Sequence, residues 1–329
     1  MSAVSRVLML ALACAAGPAL PQEKSDADAE ATLSAVVRVR ARILPDARTA
    51  QTLGARREGS GVLVREGYVL TIGYLVIEAE AIEVTAGDGS SAPATLAAYD
   101  HATGFGLLKL FAPLSGKPLP LGDSTALQER DAAMVVGYGG SEALNLVTVV
   151  SRRPFSGSWE YLLDAAIFTY PPVQNWAGAA LISARGELLG VGSLIVPDAG
   201  GAGTPAPGNM FVPIELVKPI LDALIAHGRA PGPPRPWLGL YAEELRGRLF
   251  VARVARGGPA ELAGLASGDI IIGVGGEEVA SLADFYRKVW ARGTAGVEVP
   301  LRVVQGLQMK ELGVRSIDRL EYFRRKPSY

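Results

Sequence analysis

The sequence predicts a mainly β protein of two domains, and three observations support this. Short apolar runs separated by turn residues recur over the first two thirds of the chain, as in an all-β sandwich or a pair of β-barrels. The 39 glycines and 22 prolines among 329 residues fit a fold with many turns. A stiff, proline-rich stretch at residues 229–236 precedes a segment in which strands mix with helices.

The first twenty residues are predicted to be an export signal. Arg6 supplies a positive charge, Val7–Ala16 is a short apolar core, and small residues follow it. The apolar core is too short to span a bilayer. We therefore expect an exported protein in the periplasm or cell envelope, with a polar, flexible lead at residues 21–32.

Cys14 is the only cysteine in the chain. A lipoprotein anchored at Cys14 is the less favoured alternative to a cleaved signal, because Leu12 lies one place later than lipidation requires. After signal cleavage the chain would contain no cysteine, and therefore neither a disulfide nor a thiol nucleophile.

Residues 33–228 are predicted to form the first domain. Its strands are expected, in order, within residues 36–43, 61–64, 68–71, 81–84, 106–110, 133–136, 146–150, 162–164, 179–182 and 187–195. Apolar residues at helical spacing predict a closing helix over 216–227, and Gly228 stands where a helix C-cap belongs.

Residues 237–323 are predicted to form the second domain. Strands are expected at 249–254, 270–274 and 297–304, and helices near 260–263 and at 282–290. The net charge of −1 gives no support for nucleic-acid or anionic-lipid partners.

Several ordered motifs resemble the HtrA family of serine proteases. They are Gly-Ser-Gly-Val at 59–62, Gly-Tyr-Val-Leu-Thr at 67–71, Gly-Glu-Leu-Leu-Gly-Val at 186–191, Phe-Val-Pro-Ile at 211–214 and the pair Gly-Pro-Ala (258–260) and Gly-Asp-Ile-Ile (268–271). The resemblance covers roughly residues 33–305. It implies a chymotrypsin-like double β-barrel followed by a PDZ domain.

The same resemblance indicates where a catalytic triad should lie. The family's base follows the Val-Leu-Thr strand, and Tyr74 stands there. The family's acid precedes a Leu-Leu strand, and Gly104 stands there. The family's nucleophile is the serine of a Gly-Asn-Ser-Gly-Gly pattern. This chain has Asn175, Trp176 and Ala177 in that stretch, so Ala177 stands at the position of the nucleophile. The oxyanion-turn equivalents are therefore Asn175 and Trp176.

None of the residues at the triad positions, Tyr74, Gly104 and Ala177, can perform triad chemistry. Acyl transfer needs a nucleophilic oxygen, an imidazole to accept its proton and a carboxylate to orient the imidazole. Alanine and glycine lack such groups, and a tyrosine hydroxyl with an ordinary pKa of about 10 is a poor base. The chain has two histidines, His101 and His227, interpreted as an exposed loop residue and a helix-end residue. We expect no catalytic residue, no metal site and no cofactor.

The second domain retains the features of a peptide-binding PDZ domain. The resemblance implies that the carboxylate-binding loop is Trp237, Leu238, Gly239 and Leu240, and that Phe285 and Val289 on the facing helix line the groove or belong to the core. Main-chain hydrogen bonds would give affinity, and an apolar pocket would select the terminal side chain.

Two classes of function remain. The favoured hypothesis is a catalytically inactive HtrA-like protein that binds protein C-termini or unfolded polypeptide, in envelope protein quality control or as a regulatory scaffold. Its partners could include an active HtrA-like relative. The alternative is an active HtrA-like serine endopeptidase.

Overall fold

The computed structural model describes residues 26–201 and 205–323. Two closed β-barrels are followed by a separate β-sheet flanked by helices. The predicted export signal, including Cys14, lies outside the described residues. Among the described residues, no helix has the length and apolar character needed to cross a membrane.

The first barrel closes in the order β1-β2-β3-β6-β5-β4, with antiparallel neighbours. Its strands are β1 (Val36–Ile43), β2 (Arg56–Arg65), β3 (Tyr68–Ile72), β4 (Ala79–Thr85), β5 (Ser91–Tyr99) and β6 (Phe105–Leu110). Helix α1 (Asp26–Ser34) precedes it and α2 (Ala50–Leu53) connects β1 to β2. Strand β1 shows why the barrel closes, since Val39, Ala41 and Ile43 are buried while the intervening arginines face solvent.

The second barrel closes in the order β10-β11-β12-β9-β8-β7. Its strands are β7 (Ala132–Val136), β8 (Leu144–Gly157), β9 (Tyr161–Tyr170), β10 (Ala180–Ile182), β11 (Leu188–Val196) and β12 (Gly208–Pro213), followed by helix α3 (Leu221–His227). Strands β8 and β9 form a long hairpin whose turn projects towards the third sheet.

The third sheet has the order β13-β14-β15-β17-β18, which places β13 at one edge. Its strands are β13 (Leu240–Leu245), β14 (Arg248–Val254), β15 (Ile270–Val274), β16 (Glu277–Glu278), β17 (Glu298–Gln305) and β18 (Gln308–Arg315). Its helices are α4 (Pro259–Leu262), α5 (Leu282–Trp290) and α6 (Arg319–Tyr322). The Ser281 side chain caps α5 by accepting a hydrogen bond from the Asp284 N–H.

The mainly β prediction is confirmed, and the differences have local causes. The helix expected over 216–227 is regular only in α3, because Pro219 lacks an N–H and restricts the residue before it. Part of the expected flexible lead is helix α1, which packs beside β1 through Leu33. Strand β5 was not predicted, because its Pro93 and small residues hide the strand pattern.

Candidate functional site

The three positions predicted to correspond to a catalytic triad, Tyr74, Gly104 and Ala177, converge at the junction of the two barrels. Tyr74 lies in a 3-10 turn directly after β3, and Gly104 lies directly before β6. The Gly73 N–H donates to the Gly104 carbonyl over 2.8 Å, which joins these two segments. The Ser60 N–H donates to the Ala177 carbonyl over 2.8 Å, which holds the Ala177 loop against β2.

Tyr74 is engaged with the main chain of the second barrel. Its hydroxyl donates to the Ser193 carbonyl over 2.8 Å. Burial raises the pKa of Tyr74 well above its usual value, and a hydrogen bond with the Trp176 side chain opposes this only in part. The hydroxyl therefore stays protonated at neutral pH and has no capacity as a general base.

Gly104 has a backbone conformation that disfavours any side chain. Its φ is +82°, in the left-handed region, and its N–H donates to the Asp100 carbonyl over 2.7 Å. A Cβ built at this position would lie 3.1 Å from the Tyr161 hydroxyl oxygen. An aspartate at position 104 would therefore be strained and crowded.

The loop before β10 carries Ala177 and is held by backbone contacts. The Gly178 N–H donates to the Gly192 carbonyl over 2.9 Å, and the Ala179 N–H donates to the Trp176 carbonyl over 3.0 Å. Asn175 is exposed and Trp176 is half-buried. The position offers a methyl group where acyl transfer needs an oxygen nucleophile.

The two histidines differ in environment. His101 is half-buried rather than exposed as expected, with its ring centroid 4.2 Å from that of Tyr99 and 5.5 Å from that of Phe323. His227 is exposed in the last turn of α3, and Gly228 caps this helix in the left-handed conformation. Within the described residues, no group of three His, Cys, Asp or Glu side chains could hold a metal ion.

The predicted peptide-binding residues lie at the edge of the third sheet. Gly239 has φ +76°, which turns the chain just before β13. Trp237 is not a free donor in this loop, because its N–H donates to the Ile317 carbonyl over 3.1 Å. Phe285 and Val289 on α5 are 0% and 1% exposed, so they lie in the domain core.

The loop before β13 contacts a residue that sequence analysis missed. The Leu238, Gly239 and Leu240 N–H groups all donate to the carboxylate of Glu160, in the turn between β8 and β9. Burial raises the pKa of Glu160 to about 7, against the opposing effect of these backbone donors and of Arg319. No local pattern predicts this contact, because Glu160 and Leu238 are 78 residues apart.

Two family models match the chain. The model of the trypsin-like peptidase domain matches residues 59–191, and the model of the PDZ domain matches residues 236–315. The first range contains all three triad-equivalent positions, and the second contains β13 and α5. The fold and these matches define a protein with a trypsin-like barrel domain followed by a PDZ domain.

The chain is also similar in sequence to curated bacterial serine proteases. The chain is 28% identical over 284 residues to a probable periplasmic serine protease do/HhoA-like of Haemophilus influenzae, covering 77% of this chain and 58% of that protein. It is 27% identical over 253 residues to the periplasmic serine endoprotease DegP of Escherichia coli K12, covering 70% of this chain and 51% of DegP. The chain thus spans little more than half the length of these relatives.

Solved structures confirm the architecture. The HtrA-type protease AlgW with a decapeptide superposes with a TM-score of 0.54 at 23% identity, covering 92% of this chain and all of that one. A serine endoprotease from Yersinia pestis gives a TM-score of 0.54 at 24% identity, covering 91% of this chain and 99% of that one. At such identities these structures establish the fold alone. The domain matches and these similarities show that the chain combines a trypsin-like peptidase domain with a PDZ domain and is similar to HtrA/DegP proteases.

Proposed function

We propose that this protein is a pseudoprotease of the cell envelope that binds peptides through its PDZ domain without cleaving them. It would serve in protein quality control or as a regulatory scaffold, including for an active HtrA-like relative. The periplasmic location of the relatives supports an envelope location. The observation that carries the proposal is the methyl side chain of Ala177 at the position of the nucleophile.

The surroundings of Ala177 add support. The Tyr74 hydroxyl is committed to the Ser193 carbonyl, and Gly104 has neither a carboxylate nor a backbone suited to one. Removing a triad from a serine protease leaves only the acceleration from the oxyanion hole and substrate binding, roughly 10³–10⁴-fold over water. The Asn175-Trp176 replacement changes the turn that would form that hole.

Peptide binding is supported by the PDZ match and by relatives of known structure. AlgW has been solved with a decapeptide and with a tripeptide. In this chain β13 is an edge strand, and Gly239 allows backbone N–H groups to converge before it. Such an edge accepts an extended peptide by β-augmentation. We propose protein C-termini with apolar last residues as the ligands.

The alternative, an active serine endopeptidase, follows the descriptions of the relatives and is tested directly. Purified chain lacking residues 1–20 is incubated with unfolded casein and with a fluorophosphonate probe, beside DegP as a positive control. We expect neither cleavage nor labelling, because Ala177 has no oxygen to acylate. Cleavage that follows the elution profile of the chain, or covalent labelling of it, would establish the alternative.

A further inference from the structure

The PDZ groove already holds a carboxylate from the same chain. One Glu160 carboxylate oxygen, Oε1, accepts the Gly239 N–H over 2.7 Å and the Leu240 N–H over 3.1 Å. The other oxygen, Oε2, accepts the Leu238 N–H over 2.9 Å. Glu160 is only 6% exposed, so in the docked turn these backbone groups, rather than bulk water, solvate its carboxylate. The donors that would receive a peptide terminus are therefore all engaged.

The main chain of the β8–β9 turn lies between the two walls of the groove. On the sheet side, the Ala242 N–H of β13 donates to the Ser158 carbonyl over 3.0 Å. On the helix side, the Tyr286 hydroxyl of α5 donates to the Gly157 carbonyl over 2.7 Å and accepts the Glu160 N–H over 3.2 Å. The turn thus pairs with the edge strand where an added peptide strand would begin.

Close to Glu160 in the chain, the apolar side chain of Leu162 packs into the core of the PDZ domain. Leu162 of β9 is 9% exposed and belongs to the buried cluster formed by the PDZ domain, with Leu238, Leu240 and Phe285. A carboxylate on the loop and an apolar side chain in the core are the two features by which such grooves recognise a C-terminus.

The contact between Glu160 and the loop before β13 is supported by several structural features. A buried carboxylate is costly unless its oxygens accept hydrogen bonds, and here three backbone donors supply them. Glu160 has φ +58°, a strained conformation for a residue with a side chain. Trp159 and Tyr161 on either side stack with ring centroids 5.7 Å apart, which stiffens the turn.

The far end of the groove remains accessible. Beyond Ser158 an open depression is lined by Ala242, Glu243 and Glu244 of β13 and by the start of α5 at Ser281 and Leu282. A peptide entering from this end meets the β8–β9 turn before it reaches the loop at Leu238–Leu240.

We infer that the β8–β9 turn is a resident ligand of the PDZ groove, in which Glu160 takes the place of a peptide's terminal carboxylate. An external C-terminus then binds by displacing this turn. The inference rests on the proposed peptide-binding function, since displacement matters only if the groove accepts peptides. The apparent affinity for a peptide is reduced by the fraction of molecules with the turn in place.

The test compares the full chain with Glu160→Ala, and uses Glu66→Ala as the matched control. Glu66 is an exposed glutamate in the β2–β3 turn of the other barrel. Glu160→Ala keeps a non-glycine residue at the same φ, so the backbone strain changes little. Two quantities are measured: hydrogen exchange of the amides at 238–240, and binding of a fluorescein-labelled octapeptide ending in valine, as free acid and as amide.

We expect these amides to be protected in the wild type and to exchange at least about tenfold faster in Glu160→Ala. The free-acid peptide should bind Glu160→Ala at least about tenfold more tightly than the wild type or Glu66→Ala. The amidated peptide should gain nothing, because it has no carboxylate for the donors.

The outcomes separate the inference from the proposed function. Unprotected amides at 238–240 in the wild type overturn the inference without any variant. Equal peptide affinity of wild type and Glu160→Ala, with unchanged exchange, overturns it while leaving peptide binding intact. Faster exchange in Glu160→Ala with no preference for the free acid supports the resident turn and rejects the proposed recognition of C-termini.

Discussion

The cleft between the barrels and the groove of the PDZ domain differ in what their backbones and side chains offer to a ligand. In the cleft the reactive groups are missing, since Ala177 and Gly104 carry neither nucleophile nor acid. In the groove the binding groups are intact, but Glu160 engages all three donors. The first change is irreversible without mutation, whereas the second is a contact that a ligand can compete for.

On the proposed function, the cleft has lost its chemistry while its backbone scaffold is retained. Gly178 still passes under the Ser60 carbonyl with φ +74°, although it supports no nucleophile. This conformation lets the loop of the second barrel approach β2 of the first, because a Cβ at Gly178 would lie 1.9 Å from the Ser60 carbonyl oxygen. In the groove, the three backbone donors before β13 stabilise the buried Glu160 carboxylate.

The largest expected effect is on the scaffold of the cleft. Gly178→Ala should lower the free energy of unfolding by about 3 kcal/mol or more, because the new Cβ would overlap the Ser60 carbonyl oxygen and the φ is unfavourable. Gly67→Ala is the matched control, with φ +73° and no atom near its Cβ, and should cost about 1–2 kcal/mol. Urea unfolding measures both, and equal costs would show that the cleft no longer constrains the backbone.

A smaller effect is expected from pH on the groove. The pKa of Glu160 is about 7 in the docked turn and returns towards its ordinary value of 4.5 when the turn is displaced and solvated. Between these two pH values, displacement of the turn releases a proton from Glu160. Raising the pH through this range therefore favours displacement, and above about pH 7 there is no further gain. The ionisable groups that face Glu160 are Arg319 and the Tyr286 hydroxyl. Burial raises the pKa of Tyr286 above its ordinary value, so this hydroxyl does not titrate between pH 4.5 and 7.

Peptide titrations of the full chain at pH 5.5, 6.5, 7.5 and 8.5 check this dependence. The wild type should bind the free-acid peptide several-fold more tightly at the two higher pH values. The profile of Glu160→Ala gives the pH dependence that does not involve Glu160, and it is subtracted from the wild-type profile. Parallel profiles for the two proteins would show that titration of Glu160 does not control peptide binding.

The sequence predicted local elements better than contacts between domains. Strand β15 and helix α5 have the predicted bounds, because β-branched runs and an N-capping serine at position 281 are local signals. The polar strand β18 was missed, since its solvent-facing residues give no apolar alternation.

The two candidate sites were predictable to different degrees. Ordered motifs predict that Tyr74, Gly104 and Ala177 stand at triad positions, since catalytic residues are tied to short sequence patterns. The occupant of the groove was not predictable, because Glu160 reaches its donors only after two domains have folded and docked. Leu162 likewise reads as an ordinary strand residue in sequence, and only the fold places it in the core of the other domain.

The central claim, that the cleft has lost catalysis in its backbone as well as its side chains, is tested most directly by restoration. The variant Tyr74→His, Gly104→Asp, Ala177→Ser is compared with the wild type for fluorophosphonate labelling and casein cleavage, after both are shown to be folded. We predict that neither protein reacts, because φ +82° and the nearby Tyr161 hydroxyl strain and crowd the new aspartate, and because Asn175 and Trp176 still alter the turn that would form the oxyanion hole. Labelling of either protein by the probe, or casein cleavage by either protein, would contradict the account.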